Sequence, residues 1–328
     1  KIKNLSLNDS NQIIKIDQAN FNYVDTENKQ NNYNIKIVEG QKYSIDGTSF
    51  NANFLISNLL DTDDKKENSL FENNIIMDLN FDEVYFDKIY FVRNLKGKIN
   101  IINNKVEKAD ILAFYNNSQS IKFTIKTNDR GEKITTLFSS KAKPLVDRYK
   151  FIKGFENGKE GYLDFFSIKK DGISTSKLVI DNFKVKEIPA LAKLLALASL
   201  QGLADLLTGE GIRFTDFEMN FINQDKLMKI QELYAIGPAI SILLEGYIQE
   251  DKLISLRGTL VPATTINRSI ASIPLLGDLL IGKKVGDGVF GVSFKIKGPP
   301  KNLETTVNPV KTLTPRFITR TLEKIKKN

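Results

Sequence analysis

A chain of 328 residues with 41% hydrophobic and 26% charged side chains is long enough to bury a substantial core and too apolar for global disorder. Its 47 basic and 39 acidic residues leave a net charge of +8, with Lys spread along the chain, so a solvated surface is expected and a nucleic-acid face is not. Cys, His and Trp are absent, which removes disulfides, thiolate nucleophiles, Cys-ligated metals and the commonest general base, and no enzyme is expected.

The first half reads as strand after strand, alternating apolar and polar residues between Asn/Asp/Gly turns. Phe50, Ala52, Phe54 and Ile56 alternate in this way, and so do Ile75, Met77, Leu79 and Phe81. With period 2, Phe50, Phe54, Ile75, Met77 and Leu79 are expected to point into one shared concavity. Asp61–Glu67 between them reads as an exposed loop. Gly97–Ile101 runs into a turn at Asn103-Asn104-Lys105, and Asn128–Gly131 joins Ile121–Ile125 to Ile134–Phe138. Short turns between neighbours favour antiparallel meanders over βαβ crossovers. The pattern lapses around Lys141–Tyr149, which divides a domain over 1–145 from one over 146–328.

Strands resume over Tyr162–Ile168 and Ile173–Ile180, joined at Asp171-Gly172, a pair suited to a tight hairpin. Ile188–Leu207 is different: rich in Leu and Ala, with Pro189 at its start and Gly209 as a C-cap, it predicts one helical insert over 188–207. Such a helix would be ~30 Å long, enough to cross a bilayer core. Lys193, Gln201 and Asp205 argue against a span, and packing on the protein's own apolar groove is the expectation. Further strands follow over Ile212–Ile222, Leu227–Ala235, Ile240–Ile248 and Leu253–Val261. Ile270–Ile281 is apolar but too short to span, and Phe290, Val292, Phe294 and Ile296 alternate again. A terminal amphipathic helix is predicted over 315–327 with Thr314 as N-cap. Its apolar Phe317, Ile318 and Leu322 and its basic Arg320 and Lys324 suit a membrane surface or an envelope partner; docking on its own domain explains the same pattern.

Motifs for chemistry are missing from this reading. Gly282–Gly288 has glycines and lysines without P-loop spacing. Asp205, Glu210, Asp216 and Glu218 form no metal-ligand pattern, and the aromatic and basic residues of Tyr85–Arg93 read as a core face rather than a base-stacking platform. No catalytic residue, metal or cofactor is expected.

From Gly158 to Arg320 the landmarks have a recognisable order. A strand ends at Val179–Phe183; Ile188-Pro189 opens the Leu/Ala segment; Gly209–Phe214, Ile236–Ile240 and Arg257–Ala263 follow; then come Ile273–Gly277, Phe290–Gly298, Val307–Pro309 and Leu313–Pro315. This succession resembles the C-terminal region of the AsmA-like family, whose long bridge-like members it matches best. The resemblance implies a mainly β fold: an extended, antiparallel, strongly curved sheet forming an apolar, taco-like groove. It also implies a periplasmic segment of a Gram-negative envelope protein, anchored to the inner membrane through an N-terminal segment upstream of Lys1. Phospholipid acyl chains would move along the groove between inner and outer membranes, supporting outer-membrane integrity. Phe50, Phe54, Ile75, Met77, Leu79, Phe290, Val292 and Phe294 would line it. A scaffold for outer-membrane protein or envelope assembly is the alternative, and a closed sandwich without ligand a third.

Overall fold

The computed structural model describes residues 1–9, 13–59, 74–102, 105–152, 154–157, 161–262 and 291–310. The structure is mainly β, with 65% of the described residues in strands and 11% in helices. In chain order the elements are β1 (Ile2–Leu7), β2 (Ile13–Val24), β3 (Gln30–Glu39), β4 (Lys42–Asn51), α1 (Asn53–Leu59), β5 (Ile75–Tyr85), β6 (Phe91–Ile102), β7 (Lys105–Phe114), β8 (Ser120–Thr127) and β9 (Lys133–Ser139). Then follow α2 (Lys143–Tyr149), β10 (Phe155–Asn157), β11 (Leu163–Lys170), β12 (Ile173–Val185), α3 (Pro189–Leu197), α4 (Gln201–Thr208), β13 (Ile212–Gln224), β14 (Leu227–Ile236), β15 (Ile240–Gln249), β16 (Leu253–Pro262), β17 (Gly291–Gly298) and β18 (Glu304–Val310). Two compact units divide the chain inside α2: Lys1–Pro144 with Asp164–Lys170, and Leu145–Leu163 with Asp171–Asn328.

In the first unit β1 to β9 pair in chain order, and β11 adds beside β9. Every pair whose register is resolved is antiparallel except β4–β5. Parallel neighbours need a crossover, and α1 lies in the connection between β4 and β5. In the second unit β12 to β18 form an antiparallel meander, and β10 pairs with β12. The hairpin turn leading into β12 holds Asp171 at φ +49° and Gly172 at φ +78°, the positive values that a two-residue turn of the right twist demands.

Two sequence expectations are corrected. The alternation of Phe50, Ala52, Phe54 and Ile56 predicts a strand, but β4 stops at Asn51. The Asn53 N–H donates to Asn51 Oδ1 at 3.1 Å and the Ile56 N–H to the Ala52 carbonyl at 2.9 Å, so a side-chain turn starts α1 and carries Phe54 onto a helix. The single helix over 188–207 is instead two short ones. Pro189 does open α3, but the backbone reverses at Ser199 (φ +57°) before α4 begins. Nine and eight residues give helices of only ~13 Å and ~12 Å. No described helix is long and apolar enough to cross a membrane. α3 packs against β18 and α4 against β13, burying Leu194, Leu195, Ala204 and Leu207.

Ile270–Ile281, Gly282–Gly288, Phe290 and the terminal helix over 315–327, with Phe317, Ile318, Arg320, Leu322 and Lys324, lie outside the described residues.

Candidate functional site

The described strands form one large mixed sheet of 18 strands, and within each unit one of its faces is apolar. Residues directly opposite each other across paired strands share a face, so the registers collect the side chains. In the first unit one such row runs Ile37–Tyr43–Met77–Ile99–Ala109–Ile125, and a second runs Ile35–Ile45–Leu79–Gly97–Ile111–Phe123. None of these positions carries a charge. The opposite face alternates charges instead: Asp78 bridges Lys42 (3.0 Å) and Lys98 (3.8 Å). Such exposed pairs stabilise little and mainly keep that face in water.

Strict alternation fails at matched places. The ladders skip Asn4 with Asp17, Thr48 with Asp82, Asp82 with Asn94, and Asn182 with Thr215. Asn4, Asn94 and Asn182 take φ near +50° there. Each interruption lets residues three apart face the same side, so Ile16/Ala19, Phe81/Val84, Val92/Leu95, Ile180/Phe183 and Phe214/Phe217 are all buried. The same device appears in both units.

Burial along the first unit's apolar face is uneven. Tyr43, Ile75, Ile101 and Val106 are buried at one end, and Phe81, Val84, Val92 and Ala113 at the other. Between them Ile35, Ile45, Met77, Leu79, Ile99, Ile111 and Phe123 are only half-buried. Ile35, Met77, Ile99 and Phe123 pack with one side against the buried cluster of Ile16, Tyr43, Ile75 and Ile101, and the band as a whole keeps part of its apolar surface toward solvent. Beside it Phe21 stacks on Tyr33 (4.8 Å), and Phe50 on Phe81 (5.3 Å) with its edge toward Tyr33 (5.1 Å). Gly47 admits this cluster: a Cβ there would stand 2.6 Å from Tyr33 Cβ and 2.9 Å from the Phe81 ring.

The polar network closing that end is dense. Asn31 is buried; its amide donates to Asp25 Oδ2 (3.1 Å) and its Oδ1 accepts from the Asn51 N–H (2.8 Å). Burial works to raise the Asp25 pKa, but the Lys29 N–H, the Asn51 and Asn31 amides and the Glu27 N–H outweigh it and hold the carboxyl below its usual value. Burial raises the Tyr33 phenol, and pushes Tyr115 up to about 12 although its hydrogen bond to Ser139 (2.9 Å) acts the other way.

In the second unit the apolar face is buried where the helices lie and more open along the strands. Phe183 stacks between Phe155 (5.1 Å) and Phe214 (5.5 Å), and Ile212, Ile240, Leu260 and Val292 are fully buried. Toward the other strand ends Met219, Leu233, Leu244, Ile248, Ile254, Leu256 and Ile296 are half-buried.

Of the sequence-derived groove residues, Phe50, Ile75, Met77 and Leu79 share the first unit's apolar face, Ile75 buried and the other three half-buried. Phe54 stands on α1 and is 70% exposed. Val292 and Phe294 lie buried on the second unit's apolar face, the Phe294 ring over Gly258. The reading placed Phe81 in the alternation of β5 without listing it for the groove, and it left out Tyr33, Phe183 and Phe214; the three-apart apolar spacing around Asp82 and Asn182 is the signal that marks Phe81 and Phe183. Among the described residues no group of three or more His, Cys, Asp or Glu is placed to hold a metal. No family model, no curated protein and no solved structure matches the chain.

Proposed function

We propose that this chain is a non-catalytic, periplasmic segment of an AsmA-like envelope protein whose apolar sheet faces carry phospholipid acyl chains between the inner and outer membranes. The half-buried band through Ile45, Met77, Leu79 and Ile99 is the observation that supports this reading most directly. An extended hydrocarbon laid on such a band removes its own surface and the protein's from water, about 0.8 kcal/mol for each methylene fully covered. Two rows without a charged side chain offer no fixed clamp, so a chain held there keeps the freedom to slide. A strongly curved groove fits the same role, because curvature would let one acyl chain touch several strands at once.

Native mass spectrometry of protein purified by gentle extraction tests the proposal. Phospholipid-sized adducts are expected on the parent chain. They should be depleted in a Met77→Ser/Leu79→Ser variant that keeps its β circular-dichroism spectrum. A parent chain free of such adducts, or a variant that retains them in full, contradicts it.

A further inference from the structure

We infer that the polar face of β6–β9 is a docking surface for an anionic bilayer. Register lays Lys96 opposite Leu112, Leu112 opposite Lys122 and Lys122 opposite Phe138, so the four side chains form one row across four strands. Both lysines are exposed, and Leu112 and Phe138 are 40% and 41% exposed. Lys108 and Lys126 stand exposed on the same face, beyond the row in which Lys98 faces Asp110.

Positive charge predominates on this surface. Asp78 is engaged with Lys42 and Lys98, Glu107 with Lys133, and Glu83 with Arg93, which leaves the exposed Asp82 and Asp110 as the carboxylates standing among the lysines. Lys96, Lys108, Lys122 and Lys126 form no ion pair among the described residues. A depression of about 550 Å³, lined among others by Asn80, Asp82, Asn94, Lys96 and Leu112, adjoins the row; with the Asp82 carboxylate beside the Lys96 ammonium it carries both signs of charge, so the bilayer contact rests on the row itself.

The mixture of side chains selects the partner. A polyanion would be met by lysines alone, and an exposed Leu and Phe in the same row would gain nothing from it. A bilayer interface rewards both, since ammonium groups meet anionic headgroups while apolar tips enter the acyl boundary. This surface lies on the opposite side of the sheet from the apolar band, so it stands or falls independently of lipid carriage.

Flotation of the full chain with phosphatidylcholine vesicles, with and without phosphatidylglycerol, tests the inference. Binding is expected only to the anionic vesicles and should weaken with salt. Each lysine neutralised should cost about fivefold in partitioning, so Lys96→Gln/Lys122→Gln should lose about 30-fold. Lys252→Gln/Lys301→Gln, the same charge change on exposed turns of the second unit, should leave partitioning at this surface unaltered. Leu112→Ser and, separately, Phe138→Ser should each weaken binding while melting curves confirm folded protein. Three results overturn the inference: no flotation of the parent chain, equal losses in the control pair, or duplex DNA binding as tightly as anionic vesicles with the Leu112 and Phe138 variants unchanged.

Discussion

Asn31 shows what a single residue does at the end of the first unit. Its buried amide has acceptors in Asp25 and the Lys29 carbonyl, and its Oδ1 holds the last backbone N–H of β4. Removing Asp25 leaves the Asn31 amide with only the Lys29 carbonyl and the Asn51 amide with only the Glu27 carboxylate, and frees the Lys29 and Glu27 N–H groups, so Asp25→Ala should cost about 1–3 kcal/mol in urea unfolding. Because the Asp25 pKa is depressed in the folded state, its contribution is present above the ordinary carboxylate value and is lost as pH falls through the folded pKa. Tyr115 works in the opposite window. Its phenol is raised, so the folded state is the one that holds the proton; stability is intact below the ordinary value of 10.0 and declines toward about 12. A Tyr115→Phe variant should flatten that alkaline decline in a pH series of melting temperatures. Gly258 is a third case: a Cβ there would collide with the Leu243 carbonyl and stand 2.7 Å from the Phe294 ring. Gly258→Ala should therefore destabilise by about 1–3 kcal/mol, through displacement of Phe294.

At the scale of elements, most strands were legible and the interruptions were not. Alternation places β5, β8, β9 and β13 to β16 within a few residues of their bounds, because one face is apolar and one is polar over most of each strand. The pattern misleads at Phe54, where the Asn51 side chain captures the Asn53 N–H and a helix takes over. Leu/Ala composition likewise signals helix over Ile188–Leu207, but no propensity scale marks a left-handed Ser199, and packing of both halves on β13 and β18 favours the reversal. Neither α3 nor α4 has a side-chain N-cap hydrogen bond, so each depends on its buried leucines. Leu195→Ala and Leu207→Ala should each cost about 2–5 kcal/mol in cavity and transfer energy. Hydrogen exchange should show the hairpin opening before β12 and β13. The candidate face was legible where alternation is strict, at Ile75, Met77 and Leu79, and illegible past the skipped positions Asp82 and Asn182, where one interruption exchanges the two faces.

For the whole chain, the shared plan of the two units matters more than any one side chain. Each is a run of sequentially paired strands, the first broken by the parallel β4–β5 pair, with one uncharged face, matched interruptions and aromatic residues stacked near a strand end. On the proposed reading, the repeated apolar face serves binding along a length rather than at a point. Site-specific photo-crosslinking in cells tests the lipid-carrying proposal most directly. Benzoylphenylalanine placed at Met77 or Leu79 on the apolar face should yield phospholipid adducts, whereas placement at Asn34 or Lys36 on the polar face of β3, away from the lysine row of β6–β9, should yield far fewer. Equal labelling of both faces, or none at Met77 and Leu79 in a folded protein, would contradict it.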